Sequence, residues 1–135
     1  MDTNYNDERD IKILCRQDCG NAPKKIILKD FVIASVKKEI SFIAETISDN
    51  IQWNIIGYNK FQGKESVIEM LQQMSSRRML EVEIKTIITH GNTGAVDGKA
   101  TYENNEKYAF CHIFLFTSAG KNGKINEITS YVIKS

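Results

Sequence analysis

The chain is poor in the residues that most often give a function away. One proline, one tryptophan, three cysteines and two histidines stand among 135 residues, and 18 Lys and Arg against 17 Asp and Glu leave a formal charge of +1. Near-neutrality removes the long-range field that draws nucleic acid or an anionic membrane, so neither is expected as a partner. No apolar run approaches the roughly 20 residues that span a bilayer. The start, Met1-Asp2-Thr3-Asn4-Tyr5-Asn6-Asp7-Glu8, is acidic and polar where a secretory signal would be basic and then apolar. A cytoplasmic protein is expected. Cys15, Cys19 and Cys111 are an odd number of thiols, which fits a reducing compartment better than a disulfide framework. Cys15-Arg16-Gln17-Asp18-Cys19 lacks the second pair that zinc requires, and His90 and His112 lie on other elements, so no metal is expected. The thiols read as structural or incidental.

What is present is core material: 41% of the residues are hydrophobic and 26% charged. A chain of this length buries roughly two-thirds of its unfolded surface. One domain over residues 1–135 is expected, with 1–20 as a peripheral N-terminal extension. Ile11, Ile13 and Leu14 among charges suggest a short helix over 7–17, broken at Gly20-Asn21-Ala22-Pro23. Asn21 can cap a second helix and Pro23 suits its first turn, with Ile27, Phe31 and Ala34 on its stripe to about Val36. After the hinge Lys37-Lys38-Glu39, Ile40, Ile43 and Ile47 return at helical spacing and predict a third helix ending near Ser48-Asp49-Asn50.

From Ile51 the period becomes two. Ile51, Trp53 and Ile55 alternate with polar neighbours before Gly57 turns the chain. Phe61 to Ser66 lead into a helix carrying Val67, Ile68, Met70, Leu71 and Met74. The rest reads as sheet. Val82, Ile84, Thr86 and Ile88 alternate up to His90-Gly91-Asn92, Ala95 to Tyr102 return, and Glu103-Asn104-Asn105-Glu106 turns again. Tyr108 to Thr117 is apolar on both faces, so a central strand covered on both sides is expected. The last hairpin leads into Ile125 to Ile133. The order predicts an α+β fold in which N-terminal helices pack in the concave face of a curled, mainly antiparallel sheet, leaving a cavity between them.

The helix pair, then Ser48-Asp49-Asn50-Ile51-Gln52-Trp53-Asn54-Ile55-Ile56-Gly57, then Phe61-Gln62-Gly63-Lys64-Glu65-Ser66-Val67, and the closing Ile125-Asn126-Glu127-Ile128-Thr129-Ser130-Tyr131, resemble the nuclear transport factor 2-like (SnoaL-like) superfamily over nearly the whole chain. The resemblance implies a cone-shaped α+β domain, a fold that hosts isomerases, cyclases, dehydratases, hydrolases and plain binding or dimerisation modules. Set against the superfamily's ketosteroid isomerases, the general-base Asp falls on or beside Asn54, an amide with no basic lone pair near neutral pH. The oxyanion-hole Tyr falls at Asp30-Phe31, which offers no hydroxyl. The protonated oxyanion-hole Asp falls on His112. A steroid-type isomerase with that constellation is not expected.

Alternation puts His112 on one face with Phe110, Phe114 and Phe116. It reads either as a core histidine bonded to a neighbour or as the polar group of a pocket, able to orient a ligand or relay a proton. Trp53 and Asn54 point to opposite faces, so one of the two looks inward. Tyr102 shares its face with Gly98 and Ala100, small residues that leave room for a ligand. Asp97 reads either as an exposed carboxylate at a strand end, the commoner case, or as a general base, and His90 reads as a solvated turn residue. The expected site is therefore an apolar pocket lined by Trp53 or Asn54, Tyr102, Phe110, His112 and Phe114, with no cofactor. Two functions compete: binding of a small apolar or aromatic molecule, or cofactor-independent isomerase, cyclase or dehydratase chemistry with His112 as acid/base. A homodimer through the outer sheet face is expected, since Ile84, Ile88, Ile113 and Leu115 add apolar surface beyond what one helix layer covers.

Overall fold

A computed structural model describes residues 11–15, 22–74 and 78–135. Strand β1 (Lys12–Cys15) precedes helices α1 (Pro23–Lys37) and α2 (Ile40–Thr46), strands β2 (Ile47–Ile55) and β3 (Asn59–Gln62), helix α3 (Lys64–Gln73) and strands β4 (Met79–His90), β5 (Thr93–Tyr102), β6 (Lys107–Phe116) and β7 (Ile125–Lys134). They form one seven-stranded sheet in the order β1-β4-β5-β6-β7-β2-β3. The last four strands are an antiparallel meander. Strand β2 adds to β7 in parallel and β1 to β4 in parallel. This is the α+β cone, with helices on one face of a mainly antiparallel sheet.

Local chemistry explains the helices. Pro23 sits in the first turn of α1, where a missing N–H costs nothing, and Leu28, Phe31, Val32 and Ala34 form the buried stripe. The helix stops at Lys38, whose left-handed backbone (φ 58°) lets its N–H bond the Ala34 carbonyl. Helix α3 buries Val67, Met70 and Leu71 at i, i+3 and i+4. Leu28, Phe31, Ile51, Val82, Phe114 and Ile128 meet between the layers, each almost wholly buried.

Four expectations need correction. Residues 12–15 form a strand, not part of a helix; the rest of 7–17 other than Ile11 lies outside the described residues, as does the Asn21 cap. Ile11 is buried, Ile13 packs on the core and Leu14 is exposed, which is a period of two, and the open edge of β4 supplies the hydrogen bonds. Cys15 is disulfide-bonded, whereas Cys111 is free. The reading of three reduced thiols therefore fails. Ile84 is fully buried and Ile88 is exposed, although alternation put them on one face. A register shift between Ile84 and Thr86 inserts a bulge that reverses the parity of β4. Finally, β6 is central but its outer face is uncovered in the single chain, where Ile113 is exposed. The hairpin strand β3, which follows Gly57 at φ 79°, was not foreseen.

Candidate functional site

Between α1 and the concave face of the sheet lies a cavity of about 220 Å³. Phe31, Trp53, Tyr102, Phe110, His112 and Phe114 line it, so five of the six expected pocket residues come together there. Asn54 does not. Trp53 is the residue of that pair that turns inward, being 6% exposed. Ile11, Lys38 and Tyr108 also line the cavity and were not anticipated from the sequence. Gly98 leaves no room for a ligand: a Cβ there would collide with the Glu83 carbonyl oxygen and come within 2.9 Å of the Phe110 ring. The small residue serves the close approach of β4 and the packing of Phe110.

The aromatic wall is continuous. Phe31 packs on Trp53 (centroids 5.8 Å) and edge-on to Phe114 (5.8 Å). The His112 ring stacks on Phe110 at 5.0 Å and meets Trp53 and Phe114 edge-on. These contacts remove water from one side of the imidazole. Burial pushes its pKa down from 6.5 to about 4, so it is neutral near pH 7.

One polar group backs this wall. Ser130, 2% exposed, faces His112 across the β6–β7 ladder, and its Oγ lies 2.7 Å from His112 Nδ1 and 2.7 Å from Trp53 Nε1. Among the described residues the cavity lining contains Lys38, Tyr102, Tyr108 and His112 as titratable side chains and no Asp or Glu. Lys38 Nζ donates to the Met74 carbonyl at 2.9 Å, tying the end of α1 to the end of α3. Ser130 was missed in the sequence reading. The usable signal was its position on β7 between the inward Ile128 and Val132, where a lone small polar residue stands out.

The remaining polar candidates lie elsewhere. His90 is exposed at the end of β4. Asp97 sits in mid-strand on the outer face, half-buried, with Oδ1 enclosed and without a hydrogen-bond partner. It borders an open groove of about 440 Å³ with Thr86, Ile88, Cys111, Tyr131 and Ile133. Burial there, and then the Asp97 charge, raise the Cys111 thiol pKa. Among the described residues no cluster of His, Cys, Asp or Glu could hold a metal ion, and no helix is long and apolar enough to cross a membrane.

No family model and no curated protein matches the chain. Solved structures do. An NTF2-like protein of unknown function from Cytophaga hutchinsonii is 27% identical over 82% of this chain and 96% of its own, with a TM-score of 0.61. An NTF-2 like protein of unknown function from Burkholderia xenovorans has a TM-score of 0.70 at 17% identity, covering 84% of each chain. An LEH-like epoxide hydrolase from M. tuberculosis has a TM-score of 0.65 at 15% identity, covering 78% of this chain and 75% of its own.

Proposed function

We propose that this chain, which has the nuclear transport factor 2-like fold, binds a small apolar or aromatic molecule in the cavity beneath α1, without metal or organic cofactor. The observation that carries this reading is a built cavity of about 220 Å³ walled by Phe31, Trp53, Phe110 and Phe114, with the polar ring of His112 set among them. For scale, a dry apolar cavity of roughly 150 Å³ holds benzene. A one- or two-ring ligand matches the space.

The enzymatic alternative has less support. Solved structures with this fold include an LEH-like epoxide hydrolase, but among the described residues no carboxylate lines the cavity to serve as a general base. His112 would have to act alone as acid/base, with a pKa held far below neutrality. Binding is the reading adopted. A cytoplasmic location rests on composition alone, and the Cys15 disulfide counts against a reducing compartment.

A homodimer through the outer sheet face belongs to the same proposal. Ile88, Tyr131 and Ile133 expose apolar surface beside the enclosed, partnerless Asp97 Oδ1. A second copy would cover those three side chains.

The test is a thermal-shift screen of apolar and aromatic metabolites on the wild type, His112→Phe and His90→Phe. Hits kept by His90→Phe and lost by His112→Phe support the reading. No hit on the wild type rejects it. A hit kept equally by both variants rejects His112 as the polar anchor.

A further inference from the structure

The hydrogen bonds joining Trp53, Ser130 and His112 have a direction that the atoms enforce. An indole N–H donates and cannot accept, so Trp53 Nε1 gives its hydrogen to Ser130 Oγ. The buried Ser130 hydroxyl has one hydrogen of its own, and among the described residues the partner left to take it is His112 Nδ1. Were the ring hydrogen on Nδ1, Ser130 Oγ would receive two donors while its own O–H stayed unpaired in a buried place, which is the costly arrangement. All three groups are satisfied only when Ser130 donates to Nδ1 and the ring hydrogen sits on Nε2.

Nε2 then stands free for a ligand. No described protein group bonds it, yet it is not sealed off, because Asp97 Oδ1 is the one partnerless side-chain N or O atom fully enclosed among the described residues. His112 lines the cavity and Ser130 does not. The ring is therefore anchored from behind at Nδ1, with Nε2 left to the cavity side.

We propose that Trp53 and Ser130 are positioning residues that hold His112 as the Nε2–H tautomer, so that the cavity presents one fixed hydrogen-bond donor and takes a neutral ring compound bearing an acceptor oxygen, such as a ketone, aldehyde, ester or epoxide. This rests on the binding reading and specifies its ligand class. In this form Nε2 has no lone pair to abstract a proton, so His112 donates to the ligand and does not act as a base. A cationic ligand finds no carboxylate on the lining among the described residues. An anionic one would have to be desolvated against Phe31, Trp53 and Phe110, with Lys38 already donating to Met74.

Two measurements test it. Nitrogen NMR of the histidine rings in the wild-type protein at pH 7 should show His112 with a protonated Nε2 and a bare Nδ1. A protonated Nδ1 overturns the proposal, and this readout needs no substitution. In Ser130→Ala the hydroxyl that donates to Nδ1 is gone, so both tautomers should appear; a ring that stays purely Nε2–H rejects Ser130 as a positioning residue.

The ligand class is tested with indanone, indane and indole, bicyclic probes of similar size that carry an acceptor, neither group and a donor. The preference for indanone over indane should fall about three- to ten-fold from wild type to His112→Phe, with indole little changed. An unchanged preference rejects the donor while leaving the binding reading standing. Failure of all three to bind wild type, with the ring still Nε2–H, rejects the binding reading and the ligand class with it.

Discussion

The two faces of the central strands are built from alternate residues of the same segments, yet they are finished to different degrees. On the inner face Val96, Phe114 and Ile128 are almost wholly buried, and the polar atoms of Trp53 and Ser130 and the Nδ1 of His112 find partners in one another. On the outer face Ile113 is 36%, Tyr131 45% and Ile133 67% exposed, and Asp97 Oδ1 is enclosed with no partner. The inner face is satisfied by the chain's own helices, whereas the outer face carries apolar area and a polar atom that the single chain does not satisfy. The first sets what the domain encloses and the second sets what it meets.

Adjacent residues of β6 give the sharpest way to break this contrast. Phe114→Ala should cost about 3–5 kcal/mol, because it empties space beside Phe31 and His112 that the layers cannot collapse to fill. Ile113→Ala, one residue away and facing outward, should cost far less within the protomer. Thermal or urea unfolding of both variants compares the two faces directly, and equal losses would contradict the assignment.

Acid should act on the inner face next. The unfolded chain's His112 titrates near its ordinary 6.5 and the folded ring near 4, so between those values the unfolded state binds more protons. Stability from the neutral ring is complete above about pH 6.5 and is lost as pH falls toward 4, by about 3 kcal/mol in all. Carboxylates add their own acid dependence, so the measurement is the difference in slope between wild type and His112→Phe. Identical slopes would show that the ring is not held neutral by burial.

Gly98→Ala should cost about 1–3 kcal/mol, since the added Cβ meets the Glu83 carbonyl and forces β4 or Phe110 to move. A neutral result in urea unfolding would show that the bulge yields easily. On the outer face, Ile133→Lys should change protomer stability by no more than about 0.5 kcal/mol while shifting mass by light scattering from dimer to monomer. A particle of 15.4 kDa for the wild type at all concentrations would remove the dimer instead. The smallest effect expected is that of a chelator, which should leave Tm unchanged.

Much of this architecture was legible in the sequence. Periods of two and of three to four reflect local backbone geometry, so the meander strands, α1 and α3 could be read from Val96-Asp97-Gly98, Phe110-Cys111-His112 or Val67-Met70-Leu71 without knowing their neighbours. The shared face of Phe110, His112 and Phe114 followed from the same rule, and so did the opposition of Trp53 and Asn54, though not which of them turns inward.

The rest was decided by pairings between distant segments, which no local period encodes. Placing β2 beside β7 brought Trp53 within 2.7 Å of Ser130, 77 residues away, and the β6–β7 register set His112 opposite that same hydroxyl. The bulge in β4 separated Ile84 from Ile88, and the open edge of β4 recruited Lys12–Cys15 as a strand. Alternation could say that His112 looks inward; only the assembled sheet could supply the partner that fixes which of its nitrogens carries the hydrogen, because that partner arrives on another strand.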